Sequence, residues 1–444
     1  MTKPIFQDRT GRRASRVTSI GWLIAALTIL LGGAFAVTLW APSRMEAAKL
    51  PGQISALRVQ KLEKTAADPA LVRSAIQLAA EARAKRLKVL LKKIAARERN
   101  SNVHASAKLK HAGRPLSIAF YPNWELSAYD SLRVALPTLD WVVPTWLSLQ
   151  GPDLKLKDAY SKKVDLLIRQ RPKVAILPVI QNSTLGKWDG PGMAALLADP
   201  ARRTHLVGQL SSYIAMRKLQ GIVVDFESLP DAALPDLGLF LKETRGAFAP
   251  HGWTVAVAAP FANDKWPFAD FARDVDYTLL MAYDEHASHG APGSIADQSW
   301  FEDLLDKRME VLSPERTIVA LGSYAYDWNS DDVDNLSFEE AVIAANDSDA
   351  KVEFDPQTNN PHFSYVEEDN TRHDVWLLDG VTAYNQIHAA DLYRPAGYAV
   401  WRLGSEDPSI WSVFGRPYGA WAPPALRDIP TIEDIDFEGS GEFL

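Results

Sequence analysis

The chain of 444 residues contains no cysteine. That excludes a disulfide framework, a thiol nucleophile and any cysteine-ligated zinc or iron–sulfur centre. A P-loop, a G-x-S-x-G elbow and a dinucleotide fingerprint are also missing, which removes the usual anchors for phosphate, serine-esterase and Rossmann chemistry. Acids are scarce at the start: residues 1–115 carry 6 Asp+Glu against 22 Lys+Arg, whereas 116–444 carry 49 against 26. A basic arm therefore precedes an acidic body. Between Val17 and Ala41 charge of either sign is absent. What is present, 47% hydrophobic and 23% charged residues, suits a globular protein of two or three domains, or one large α/β barrel with appendages. Fourteen Trp is high for this length and suits flat, half-apolar ligands such as sugars.

The uncharged run predicts one transmembrane helix, a signal anchor over 17–41. A helix needs roughly 20 apolar residues to span the hydrocarbon core, and Ile20–Trp40 supplies them. Trp22 and Trp40 bracket it where interfacial aromatics are favoured. Lys3, Arg9, Arg12, Arg13 and Arg16, against Asp8 alone, mark 1–16 as a cytoplasmic basic tail and send the remainder outward. A cleaved signal peptide, with Ala34-Phe35-Ala36 as its small-residue site, is the alternative; the run is long for a signal core and continues past that site. Residues 42–115 read as a basic helical stalk and linker. Within them 66–99 lack Gly, and Leu87, Leu90, Leu91 and Ile94 recur at helical spacing among Lys85, Lys88, Lys92 and Lys93. A solvated stalk is expected there, with contact to anionic headgroups or an acidic polymer as the alternative. No nucleic-acid partner is expected outside the cytoplasm.

After Pro115 eight short apolar runs alternate with helical stretches: 116–121, 141–144, 173–180, 221–226, 254–259, 277–283, 317–322 and 397–401. Their continuous hydrophobicity is what strands buried on both faces require. The fold class is therefore α/β, a (β/α)8 TIM barrel over 116–420. The seventh and eighth runs stand too far apart for one crossover, and a small α+β insertion is expected over about 330–380. The acidic, Pro-bearing stretch 421–444 reads as a linker or tail. In such a barrel the functional groups sit at the carboxyl ends of the strands. Tyr121, Trp124, Trp146, Gln181, Asp225, Glu227, Met281, Tyr283, Asp284, Tyr324 and Trp401 fall there.

Asp225 and Glu227 lie two apart on one strand, so their side chains share a face. Neighbouring carboxylates keep one member protonated at neutral pH, as a general acid must be. A strand end that caps a helix or pairs with Arg is the alternative. Residues Gln220-Gly221-Ile222-Val223-Val224-Asp225-Phe226-Glu227 resemble the D-G-x-D-x-D-x-E motif of glycoside hydrolase family 18, the chitinase-like barrels, with Gln220 and Val223 in place of its two earlier acids. Tyr121-Pro122-Asn123-Trp124, Met281-Ala282-Tyr283-Asp284 (the family's M-x-Y-D) and Trp401 match in order. The stretch 397–407 is similar to the spore-germination and cell-wall branch.

The resemblance implies hydrolysis of N-acetylglucosamine-containing polysaccharide without metal or cofactor. Glu227 would be the acid, Asp225 and Tyr283 would hold the substrate's 2-acetamido nucleophile, and Trp401 would underlie the sugar. Asp284 would support the site, and Met281 would pack. Tyr121, Trp124, Trp146, Gln181 and Tyr324 are further substrate-binding candidates. Val223 leaves Asp225 one partner short, which keeps open a non-hydrolytic saccharide-binding module in a polymer-synthesis machine. Barrels of this kind also occur fused ahead of polysaccharide deacetylase and family 2 glycosyltransferase domains, and the tail would suit such a partner. His286 and His289, and the acid-rich loop of Asp327, Asp331, Asp332 and Asp334, read as loop residues rather than metal ligands.

Overall fold

The computed structural model describes residues 84–85, 87–96 and 113–418, apart from 185, 288–289, 330–331 and 368–369. The expected basic tail 1–16, anchor 17–41, first part of the stalk and acidic tail 421–444 lie outside the described residues. Among the described residues no helix is long and apolar enough to cross a membrane.

All eight expected runs form strands: β1 (Leu116–Tyr121), β2 (Trp141–Pro144), β3 in two pieces (Ala175–Ile176 and Val179–Gln181), β4 (Gly221–Asp225), β5 (Thr254–Pro260), β6 (Tyr277–Met281), β7 (Thr317–Gly322) and β8 (Gly397–Trp401). Neighbours pair in parallel from β4 through β8, then β8 to β1 and β1 to β2. The first piece of β3 pairs with β2 and the second with β4. β3 changes partner at Pro178, which has no N–H to give but accepts from Val223 N–H. The result is a curled sheet consistent with a TIM-like barrel.

Alternation along each strand divides the apolar residues between two layers. Ile118, Val143, Val223, Ala256, Leu279, Ile318 and Ala399 pack inside the sheet. Ala119, Val142, Val224, Val257, Leu280, Val319 and Val400 join the core beneath the helices. This two-sided burial is why the runs are apolar throughout. Helices Pro200–Arg217 and Leu234–Phe248 precede β4 and β5; the first opens on Asp199, whose carboxylate accepts from Ala201 and Arg202 N–H ahead of a proline first turn.

Two features depart from expectation. The insertion begins at Ala325, three residues after the end of β7, and is a five-stranded antiparallel sheet in the order 333–336, 325–328, 372–377, 361–366, 353–354, with helix Phe338–Asp347. Ala325–Trp328 escapes sequence reading because it adjoins β7 without a distinct turn signal. The second departure is the stalk. Residues 84–85 and 87–96 are helical, but the stripe is not solvated: Leu90 and Ile94 are buried in the helix-side core, with Leu87 and Leu91 packed against it. Apolar groups at helical spacing leave water when a core lies within reach.

Leu90→Ala should therefore lower the unfolding free energy by about 2 to 5 kcal/mol, read from the urea midpoint at unchanged slope. Val89→Ala, on the exposed face of the same helix, should change it little. Equal stability of both variants and the parent would restore the solvated stalk.

Candidate active site

β4 delivers the two acids. Val223 is packed in the interior layer, and Asp225 and Glu227 follow on the same side to line one cleft of about 590 Å³. Trp401 stands in that cleft in an edge-to-face contact with Phe120, ring centres 5.4 Å apart. Asp225 is buried, and its Oδ2 accepts from Gln181 Nε2 at 2.8 Å. Its Oδ1, also buried, has no partner among the described residues. Val223, standing where the family motif has a second Asp, offers only methyl groups.

Glu227 is half-buried and held through its main chain. The fully buried Asn182 accepts from Glu227 N–H at 2.9 Å through Oδ1 and donates Nδ2–H to the Glu227 carbonyl at 2.9 Å. Asp284, at φ 62°, accepts on Oδ1 from the Tyr326 hydroxyl at 3.1 Å and from the Tyr324 hydroxyl.

Burial pushes the Glu227 carboxyl up to about 9, with the charges of Asp225 and Asp284 adding to the effect. Asp225 is raised less, to about 6: burial lifts it and the Gln181 hydrogen bond opposes. Burial, then Asp225, holds the Tyr283 phenol well above its ordinary value, so it remains a donor. At neutral pH one acid keeps its proton while its neighbour is ionised, the division an acid-catalysed cleavage needs.

Gln181, Asp225, Glu227, Met281, Tyr283, Asp284 and Trp401 thus come together in one cleft. Tyr324 sits one layer behind, acting through Asp284. Three expected residues lie elsewhere. Tyr121 belongs to the helix-side core, because alternation along β1 turns Phe120 inward instead. Trp146 is buried in the same helix-side core in an edge-to-face contact with Tyr160, centres 4.9 Å apart. Trp124 is 58% exposed in the turn after β1 and is not among the cleft-lining residues.

Phe120, Asn182 and Tyr326 were missed. Counting parity from Ile118 identifies Phe120; an Asn after a strand has no distinctive signal. Gln220 Oε1 accepts from Ile176 N–H at 2.8 Å and so clamps β3 to the start of β4. His286 is fixed on the Ser294 carbonyl, while His289 and Asp331 lie outside the described residues. Asp327 meets His373 Nδ1 at 2.9 Å and the Tyr365 hydroxyl at 2.8 Å within the insertion. Among the described residues no group of three or more His, Asp or Glu could hold a metal.

A carboxyl whose folded value is raised favours the folded state most below its ordinary range, and that contribution is lost as pH rises toward about 9. Glu227→Gln is neutral throughout, so it should melt a few degrees above the parent at pH 8, the gap closing toward pH 4. Thermal melts across that range provide the check; a gap independent of pH would mean that Glu227 titrates as in solvent.

The sequence profile described as Glycosyl hydrolases family 18 matches residues 117–406. Uncharacterized glycosylase YvbX of Bacillus subtilis (strain 168) is 24% identical over 326 residues, 71% of this chain and 94% of that protein. A cortical fragment-lytic enzyme of the same strain is 23% identical over 231 residues, 49% of this chain and 54% of that protein. Among solved structures, the Bacillus cereus spore cortex-lytic enzyme SleL superposes with a TM-score of 0.61 at 20% identity, covering 68% of this chain and 74% of that one. A chitinase from Chromobacterium violaceum ATCC 12472 gives 0.62 at 21%, covering 68% and 98%. These two structures share the fold. The profile match spans well over half of the sequence and includes every cleft residue named above, so the chain belongs to glycosyl hydrolases family 18 and is a glycoside hydrolase.

Proposed function

We propose that this glycoside hydrolase cleaves an N-acetylglucosamine-containing polysaccharide by substrate-assisted, retaining hydrolysis. The observation that carries the proposal is the buried Asp225 carboxylate, held on one oxygen by Gln181 and partnerless on the other, beside a protonated Glu227. A partnerless buried acceptor calls for a donor, and the acetamido N–H of the substrate supplies one. Glu227 gives its proton to the glycosidic oxygen while the acetamido carbonyl oxygen attacks the anomeric carbon. The bond to the leaving sugar breaks with its electron pair on the newly protonated oxygen. Tyr283 donates to the acetamido oxygen and Asp225 balances the charge of the ring intermediate. Water then attacks the same carbon as its bond to the acetamido oxygen breaks, the electron pair returning to the amide, and Glu227 takes back a proton from the water. Two inversions give retention, with the sugar ring over Trp401.

The cortical fragment-lytic and chitinase relatives support a polymer of the cell-wall or chitin type. Gln220 weighs nothing toward a non-hydrolytic binding module, since its amide serves the main chain of β3. We extend the proposal to an anchor over 17–41 with the catalytic domain outside the membrane, on the charge-bracketed sequence run. Deacetylase or family 2 glycosyltransferase domains, which the sequence resemblance suggests, would be fitting partners.

Glu227→Gln should lose about 10²- to 10⁴-fold in cleavage of N-acetylglucosamine oligomers while still binding them. De-N-acetylated oligomers should bind without being cleaved, and equal cleavage of both kinds would defeat the acetamido mechanism. The rate should rise with pH as Asp225 ionises near 6 and fall as Glu227 loses its proton near 9, the two limbs belonging to the pair. For the anchor, a reporter fused after residue 60 should be active only outside the cytoplasm; a mature N-terminus near Val37 would show cleavage instead.

A further inference from the structure

We propose that Gln181 and Asn182, consecutive residues where β3 ends, are the positioning pair of this site: Gln181 sets the carboxylate of Asp225 and Asn182 sets the peptide of Glu227. The inference rests on the roles given above to those two acids, and adds what fixes the gap between them.

Sheet register supplies the first half. Gln181 lies directly opposite Asp225 on the adjacent parallel strand, and its Nε2 reaches Oδ2 at 2.8 Å. With Val223 beneath and Oδ1 partnerless, this is the one hydrogen bond to the Asp225 carboxylate among the described residues. Alternation supplies the second half, because the next side chain must leave on the other side of the strand. Asn182 is fully buried and uses both ends of its amide: Oδ1 accepts from Glu227 N–H, while Nδ2 donates to the carbonyls of Glu227 (2.9 Å) and Asp189 (3.1 Å). A buried amide could satisfy itself on any peptide, but this one grips the acid's own residue from both ends. The next peptide is confined from a second direction. Gly190 packs so closely that a methyl group there would fall 1.8 Å from the Ser228 carbonyl oxygen, and Ser228 itself sits at φ 57°. The acid can neither slide nor turn about its backbone, and its helper is tied to the strand that ties the acid.

The test uses the whole protein and the variants Gln181→Ala, Asn182→Asp and Asn182→Ser, the last smaller and uncharged should the second not fold. Two readouts are taken: kcat and KM on N-acetylglucosamine oligomers across pH, and the titration of the Asp225 and Glu227 carboxyls followed by carbon-13 NMR, which needs no turnover. Gln181→Ala should move the Asp225 titration and the acidic limb upward by about one pH unit or more. The Asn182 variants should lose about 10²-fold in kcat with KM near the parent value. In Asn182→Ser the Glu227 titration should move down toward the ordinary carboxyl range as the released acid gains water and leaves Asp225; in Asn182→Asp the new carboxylate opposes that fall, so the uncharged variant carries this readout. Titrations unmoved in every variant would overturn the pairing, as would a loss confined to KM or to thermal stability. A parent protein that cleaves none of the oligomers would defeat the functional reading alone; the titrations would still decide this one.

Discussion

Two carboxyl groups at the end of β4 share a cleft that withholds water from both, and neither can ionise without regard to the other. Removing a carboxylate from water is costly unless donors replace the lost hydration. Here Asp225 receives one donor, Gln181, and Glu227 receives none on its side chain among the described residues. The asymmetry decides which of them keeps the proton. The rest of the site follows from it: a phenol held protonated at Tyr283, a carboxylate at Asp284 turned to the mouth and occupied by two tyrosine hydroxyls, and an aromatic face at Trp401.

The barrel makes that arrangement rigid. Parallel strands carry their alternation to the same rim, so Gln181, Asp225, Met281, Tyr283 and Trp401 emerge into one mouth although they are far apart in the chain. The interior layer beneath them is apolar, and Val223 is part of it. In the family motif a further acid stands at this position; here a hydrocarbon fills it, and the neighbouring strand provides the hydrogen bond from the side. The insertion after β7 brings Tyr326 to Asp284, so the inserted subdomain contributes a hydroxyl to the wall of the cleft.

Strand positions were legible because two-sided burial leaves a plain mark: eight continuously apolar runs match eight strands. Asp225, Glu227, Tyr283, Asp284 and Trp401 were legible because polar and aromatic groups ending apolar strands suit the mouth of a barrel. Tyr121 and Trp146 share that signature and yet belong to the helix-side core. A residue's position at a strand end does not say on which side it leaves, and a shift of one residue reverses the answer. The helical residues 84–85 and 87–96 show the same limit at the surface, since a stripe of four apolar side chains names no partner until a core is placed beside it.

What the sequence determined by itself was the periodic burial of the chain and the chemistry of its strand ends, because both are local: hydrophobicity at a spacing, and a carboxylate two residues from another. What only the tertiary structure decided was partnership. Gln181 meets Asp225, and Asn182 meets Glu227, across 44 and 45 residues of chain. Those hydrogen bonds depend on parallel register and on Pro178 releasing β3 from one neighbour to the other. Such long-range pairings carry no periodicity, and they are what separates a protonated acid from an ionised helper.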